Sequence, residues 1–431
     1  MTSPVPFGEV ITRAAARGRL IVQPRMGMGD PVDMRAGLLA VKAANASTVG
    51  TITVDSYTRC NDDEAVRRAI TGDGQLNGYP IVARTSDVTS AIVKELRDAS
   101  FVIQVRHGSA DPQRIFEALV AAGLDATEGG PISYCLPYSQ LPLADSVKNW
   151  AVCCKTFGRL RDKGYEPHLE TFGGCMLGQL CPPSLLVAIS VLEALFFCQQ
   201  GLRSVSLSYA QQANTAQDLE AIAALRAIAG ELLPNVDWHV VVYAYMGVYP
   251  RTVSGAMGLL GEAARLAVRS GAARLIVKTA VEAYRIPTVD ENITALEYAS
   301  AAAGQVRRSG PAEPASDTGI LTEARTLVDA VLELGPKLDR TLASAVGRGL
   351  LDIPYCLHPD NHGRTRSYLD RDGRLYWSDT GALPLPRRTA VAAPDRNSSA
   401  DLQRMLNYVA RKYDSTQNAA PGQINDHERN Q

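Results

Sequence analysis

Three arginines follow three short apolar runs: Arg25 after LIVQP, Arg59 within TITVDSYTR and Arg106 after FVIQV. The runs read as β-strands, so a guanidinium stands at the same end of each. Its planar fork of donors matches a carboxylate or phosphate by two-point contact. A single arginine in such a place is most simply a surface salt bridge. Three in equivalent places point to a small substrate with two anionic groups. The segment ATEGGPISYCLPY, residues 126–138, adds an acid, Glu128, two glycines that would let backbone approach a ligand, and Tyr134 and Tyr138. An acid among three arginines could accept from an ammonium group. Two carboxylates and one ammonium describe an acidic amino acid. Taken alone, a loop with packed tyrosines is the plainer reading of this segment.

The elements that must carry these residues alternate from residue 19 to about 280. Strand candidates are Leu20–Gln23, Thr48–Val54, Tyr79–Ala83, Phe101–Val105, His168–Thr171, Val205–Ser208, His239–Tyr245 and Leu275–Lys278, with a weaker ninth at Ala126–Glu128. Helical patterns lie between them, as in PVDMRAGLLAVKAANA, VTSAIVKELRDA and DPQRIFEALVAAG. Asp30 before Pro31 and Asp111 before Pro112 are expected to cap helix starts, and Gly123 and Gly271 to end helices. Strand and helix in alternation imply a parallel sheet with helical crossovers. The expectation is an α/β fold, a TIM (β/α)8 barrel in residues 1–310 with a smaller C-terminal α+β extension in 311–410. Nine candidates exceed eight barrel places, so one is not a barrel strand. The extension should hold a helix in SDTGILTEARTLVDAVLELG and a hairpin in SYLDRDGRLYW that turns at Asp372-Gly373. Residues 411–431 are polar and read as a disordered tail. In an enzymatic barrel the site lies at the C-terminal ends of the strands, where the arginines stand.

Composition narrows the class. The chain has 431 residues, 44 basic and 45 acidic, for a net charge of −1, so no overall field attracts nucleic acid or an anionic membrane. Eight cysteines without a C-x-x-C pair read as reduced, cytoplasmic thiols. The N-terminal stretch lacks the apolar core of a signal peptide. The apolar run Leu185–Cys198 contains Glu193, is too short to span a bilayer and reads as a buried core helix. Gly27-x-Gly29 and Gly72-x-Gly74 do not complete a dinucleotide fingerprint. His358 and His362 in HPDNH sit in a proline-bearing loop, and no metal-ligand set is assigned.

Seven segments together carry a resemblance: QPRMG (23–27), VDSYTR (54–59), LNGYP (76–80), VRHG (105–108), TEGGPISYCLPY (127–138), CPPS (181–184) and LIVKTAVEAYRIPT (275–288). In order and spacing, over roughly residues 19 to 360, they resemble the large (epsilon) subunit of glutamate mutase, or methylaspartate mutase. The resemblance implies an adenosylcobalamin-dependent isomerase that interconverts L-glutamate and 3-methylaspartate through a glycyl radical and acrylate. It places an arginine claw for the substrate carboxylates on Arg25, Arg59 and Arg106, the acid near the amino group on Glu128, and substrate contacts on Tyr134 and Tyr138. Contacts to the adenosyl group fall on Asn77, Pro137, Lys278 and Glu282. Lys278 and Glu282 also read simply as a Lys–Glu pair four apart at the start of a helix.

The family's cobalamin-binding motif, D-x-H-x-x-G, is missing. The nearest match runs from Asp237 through His239 to Val242, with valine in place of glycine and within a predicted strand. The resemblance therefore implies a small cobalamin-binding partner subunit, with a homodimer of large chains at the centre of a heterotetramer. In HLETFGGCMLGQL the chain departs from the family's usual REPFG-type stretch, with Thr171 in the proline's place after the acid Glu170. Two other readings stand beside this one: a barrel isomerase or lyase acting on another acidic amino acid or dicarboxylate, and a non-catalytic binding relative.

Overall fold

The computed structural model describes residues 5–72, 76–306, 317–386 and 398–415. Eight parallel strands alternate with helices: β1 (Ile21–Gln23), β2 (Gly50–Thr53), β3 (Ile103–Arg106), β4 (Ala126–Gly129), β5 (His168–Thr171), β6 (Ser204–Ala210), β7 (Asp237–Tyr243) and β8 (Arg274–Ile276). Six form one sheet in the order β1-β8-β7-β6-β5-β4, and β2 and β3 pair in a second. Arg274 of β8 bonds Glu170 of β5, although the two strands stand three places apart in the sheet. Neighbouring strands are spaced by about 4.8 Å, so a flat sheet would hold them ~14 Å apart. The sheet is therefore curled, with these side chains on its concave side.

Tyr79–Ala83 is the candidate that is not a strand. Tyr79 makes a single bridge to Val54 and the chain then turns, with Ile81 N donating to Tyr79 O at 2.9 Å. Pro80 explains the break, because it has no N–H to extend a ladder. The weakest candidate by sequence, at Ala126, is the strand β4.

Of the four residues expected to cap or end helices, three do so. Asp30 accepts from Val32 N and Asp33 N at 2.7 and 3.2 Å, and Gly123 and Gly271 take φ of +73° and +70° where their helices end. Asp111 does not cap. The helix Gln113–Ala121 begins one residue later than expected, and Pro112 occupies the cap position without a side-chain hydrogen bond.

The N-terminal helix Phe7–Ala16 closes one end of the curl. Phe7, Val10 and Ile11 pack with Ile21, Val49, Val102, Ala126 and Ala273, which lie at the N-terminal ends of five strands. That leaves the C-terminal ends for a site. The apolar run around Glu193 forms the buried helix Pro183–Gln199. The helix Ile320–Leu332 packs against it, and Ser184 Oγ donates to Glu323 at 2.8 Å.

The expected hairpin is β9 (Arg366–Leu369) and β10 (Leu375–Asp379), with Gly373 at φ +80°. Gln217 bonds both backbone groups of Leu375 at 2.9 Å and holds the hairpin to the curled core. Residues 411–415 are not disordered as expected but end the helix Tyr408–Ser415. There Asp414 accepts from Arg251 N and Thr252 N at 3.0 Å, a contact distant in sequence. Residues 416–431 of the expected tail lie outside the described residues. Among the described residues no helix is long and apolar enough to cross a membrane.

Candidate active site

The three arginines stand at the C-terminal ends of neighbouring strands. Arg106 is the last residue of β3 and is nearly sealed, with 6% of its side chain exposed. Its Nη2 lies 3.2 Å from Glu128 Oε2 and its Nη1 lies 3.6 Å from Glu170 Oε1. Nη1 also donates to Tyr243 Oη at 2.8 Å.

Arg59 ends the one-turn helix Ser56–Arg59 that follows β2. Asp55 caps that turn, and Asn77 Oδ1 accepts from Ser56 N at 2.9 Å. Arg59 Nη1 lies 3.2 Å from where a side chain on Gly108 would begin, so the glycine of VRHG leaves room for it. Arg25 follows β1 and is more open, at 33% exposed. It donates to Glu282 Oε2 at 3.0 Å.

Glu128 lies on the concave side of β4, fully buried. Its Oε1 accepts from His107 N at 3.1 Å and from Tyr134 Oη, while Oε2 has no hydrogen-bond partner among the described residues. Burial lifts its pKa above the ordinary carboxylate range, against the pull of Arg106. Glu170, across Arg106, goes the other way. Burial would raise it too, but Arg274, Arg106 and hydrogen bonds from Tyr243 and Gln104 together bring it down. Two carboxyls flank one guanidinium with their proton affinities driven apart, which is how a site separates a proton acceptor from a fixed charge. Burial and the charges of Arg59 and Arg106 push His107 down to about 3, so it is neutral.

Tyr134 is buried, its ring 5.0 Å from Phe172 and 5.3 Å from His107. Tyr138 is 55% exposed and meets Tyr134 edge-on at 6.2 Å. Pro137 is half-buried beside it. Lys278 and Glu282 follow β8 in a turn, not at a helix start, and the ion pair that Glu282 makes is with Arg25. Lys278 Nζ lies 4.7 Å over the ring of Tyr249, and burial with the charge of Arg25 lowers it to about 8, partly offset by Glu282.

A family model of the methylaspartate mutase E chain matches residues 4–400. The chain belongs to that family. Proteins named glutamate mutase epsilon subunit are similar along most of their length. The one from Halobacterium salinarum is 32% identical over 399 residues, covering 89% of this chain and 81% of that one. Those from Yersinia enterocolitica and Escherichia coli O157:H7 are each 30% identical over 397 residues, covering 88% and 81%. A truncated 3-deoxy-D-arabino-heptulosonate 7-phosphate synthase from Thermotoga maritima covers 72% of this chain and 87% of its own, at 11% identity and a TM-score of 0.34. The methylaspartate mutase E chain family is one of isomerase subunits, and this chain is an enzyme subunit of that class.

Several residues of this mutase E chain escaped sequence reasoning. Arg274 is fully buried and bonds Glu170, Ser206 and Gln23, with Gln104 linking Gln23 to Glu170. His239, the nearest approach to a cobalt ligand by sequence, stacks on His168 at 5.2 Å inside this polar layer. The available signal was a charged or polar residue at every second position of β5 and a lone arginine opening β8. Thr171 bonds Ser190 Oγ of the helix Pro183–Gln199 and Ser208 Oγ of β6 at 2.8 and 3.2 Å.

Both glycines of TEGGP make room for internal partners, Gly129 for Trp150 and Tyr134 and Gly130 for Glu193. A side chain on Gly130 would start 2.0 Å from Glu193 Oε1. Burial pushes the Glu193 carboxyl up to about 7 against its hydrogen-bond donors. The folded state therefore holds this proton more tightly than the unfolded one. The associated stability is present below the ordinary glutamate range and is lost as pH rises through about 7. Thermal midpoints across that window should fall less steeply in Glu193→Gln than in the parent chain. Identical slopes would show that Glu193 does not titrate there.

Proposed function

We propose that this chain is the substrate-binding subunit of an adenosylcobalamin-dependent glutamate mutase. It interconverts L-glutamate and 3-methylaspartate by radical fragmentation and recombination of the carbon skeleton. The observation that carries this reading is the placement of Arg25, Arg59 and Arg106 at the C-terminal ends of β1, β2 and β3, with Glu128 beside Arg106. Three guanidiniums fit two carboxylates by two-point contacts. Glu128 Oε2, which faces Arg106 at 3.2 Å but makes no hydrogen bond among the described residues, can accept from an ammonium as well, and its raised proton affinity suits proton exchange there. Tyr134 orients Glu128 through its hydroxyl, and Tyr138 contacts the substrate from the rim. Arginines holding both ends of the substrate keep its fragments together, and the burial of Arg106 keeps water away.

Adenosylcobalamin, when bound, supplies the radical chemistry by which a substrate hydrogen is removed and returned. The residues present fit its adenosyl group. Thr279 Oγ1 and Tyr249 Oη, next to Lys278, are buried without hydrogen-bond partners among the described residues and suit a hydroxyl-bearing sugar. Asn77, Pro137, Lys278 and Glu282 would hold it, with a small partner subunit carrying the corrin. The Arg25–Glu282 ion pair then links the substrate set to the cofactor set.

On this reading the two sheets are arcs of one (β/α)8 barrel spanning residues 1–310. The bridge Val22–Thr48 and the bond from Thr127 Oγ1 to Val105 O at 2.9 Å support closure at both seams. Residues 311–410 form the extension, and a cytoplasmic heterotetramer of two large and two small chains is the working assembly.

Mixed with the small subunit, adenosylcobalamin and L-glutamate, the chain should produce 3-methylaspartate, seen by proton NMR. Isolated, it should purify colourless. No product from a loaded, associated complex would overturn the substrate, and a stoichiometric corrin spectrum in the pure chain would overturn the partner.

A further inference from the structure

Glu193 is a fully buried carboxylate in the apolar helix Pro183–Gln199, and no arginine or lysine offsets its charge in the contacts the structure gives it. Its partners are all neutral donors from two loops. Oε1 accepts from Ile132 N at 3.2 Å and Ser133 N at 2.9 Å. Oε2 accepts from Ser133 Oγ at 3.0 Å, Phe172 N at 3.3 Å and Gly173 N at 2.9 Å. The first loop follows β4 and carries Tyr134, Pro137 and Tyr138. The second follows β5 and carries Phe172, against which both tyrosine rings pack. A buried carboxyl in an apolar helix is costly unless its hydrogen bonds are made, so its retention at this junction calls for a reason.

The approach is close on both sides. A side chain on Gly130 would collide with the carboxylate, and one on Gly173 would start 2.7 Å from Ile189 of the same helix. Glycines therefore stand where each loop comes down onto the helix.

We propose that Glu193 is a positioning residue for the mutase reaction: one carboxylate clamps the β4 and β5 loops together and so fixes Tyr134 against Glu128. This rests on the function proposed above. Glutamine cannot replace it, because an amide nitrogen has no lone pair to accept. Whichever way the amide turns, two backbone N–H groups lose their acceptor.

The test uses the complete complex with Glu193→Gln. Amide exchange should quicken at Ile132, Ser133, Phe172 and Gly173, while amides within β4, β5 and β6 keep their protection. kcat/KM for L-glutamate should fall by tenfold or more. Loosening Tyr134 removes a hydrogen bond that favours ionised Glu128, whose other charged neighbours are Arg106 and Glu170. The acid limb of the pH profile should therefore move to higher pH, which a loss of folded protein alone would not do.

Unchanged exchange at the four amides with an unshifted profile would overturn the proposal. If Glu193→Gln does not fold, Gly130→Ala, which pushes the β4 loop off the carboxylate, is read by the same measurements. If the parent complex makes no product from L-glutamate, the functional reading fails. The exchange pattern then decides the clamp by itself.

Discussion

Replacing Arg106 with lysine should cut turnover of L-glutamate by about a hundredfold or more, with little loss of folded protein. The guanidinium faces Glu128, Glu170 and Tyr243 at once, with 6% of its side chain exposed. An ammonium is a point donor on a shorter reach and cannot hold a carboxylate by two parallel bonds while keeping its other partners. Losing one or two charged hydrogen bonds in the transition state costs roughly 1.5–3 kcal/mol each, and about 1.4 kcal/mol is a factor of ten in rate. Steady-state kinetics of the reconstituted complex would check this. Turnover within threefold of the parent would remove Arg106 from the claw. The same substitution at Arg25 should be milder, since that side chain is one-third exposed and solvent can replace part of its contact.

Glu170→Gln should destabilise the chain more than any change among the exposed site residues. Arg274, fully buried, pairs with Glu170, and Arg106 lies on its other side. Removing the shared carboxylate leaves Arg274 without its counter-charge and Arg106 with Glu128 alone, and breaking a buried pair from one side costs about 3–5 kcal/mol. The urea midpoint near neutral pH should drop accordingly. The sign of its pH dependence follows from the depressed acidity of Glu170. Its contribution is present above the ordinary glutamate range and is lost as pH falls through its lower folded value. The gap between parent and variant should therefore narrow in acid. A gap that stays constant, or a variant as stable as the parent, would show that Glu170 is not the charge on which the interior layer is built.

The arginines were legible because each follows a strand whose apolar pattern is local, and the strand direction fixes which end of the sheet the next residue occupies. Glu128 was legible for the same reason, at the end of a strand and followed by glycines. Tyr79–Ala83 misled because three of its five residues, Tyr79, Ile81 and Val82, suit a strand by type, and the deciding feature was the missing N–H of Pro80. Asp111 misled because an Asp-Pro pair signals a helix start without fixing the cap to one residue.

Glu170 and Glu193 show what lay beyond such reading. Each was visible as an acid in an unusual place, one in a strand and one in an apolar helix, but neither sequence neighbourhood names its partners. The alternation of strands and helices, the end of the sheet where the arginines stand and the buried run around Glu193 were set by the sequence itself, since they depend on periodicity and short-range caps. Which carboxylate meets which guanidinium, and that one helix glutamate ties two loops, were decided only in three dimensions. Those contacts arise because a curled sheet brings the concave faces of distant strands together, and through-space convergence leaves no mark in local spacing.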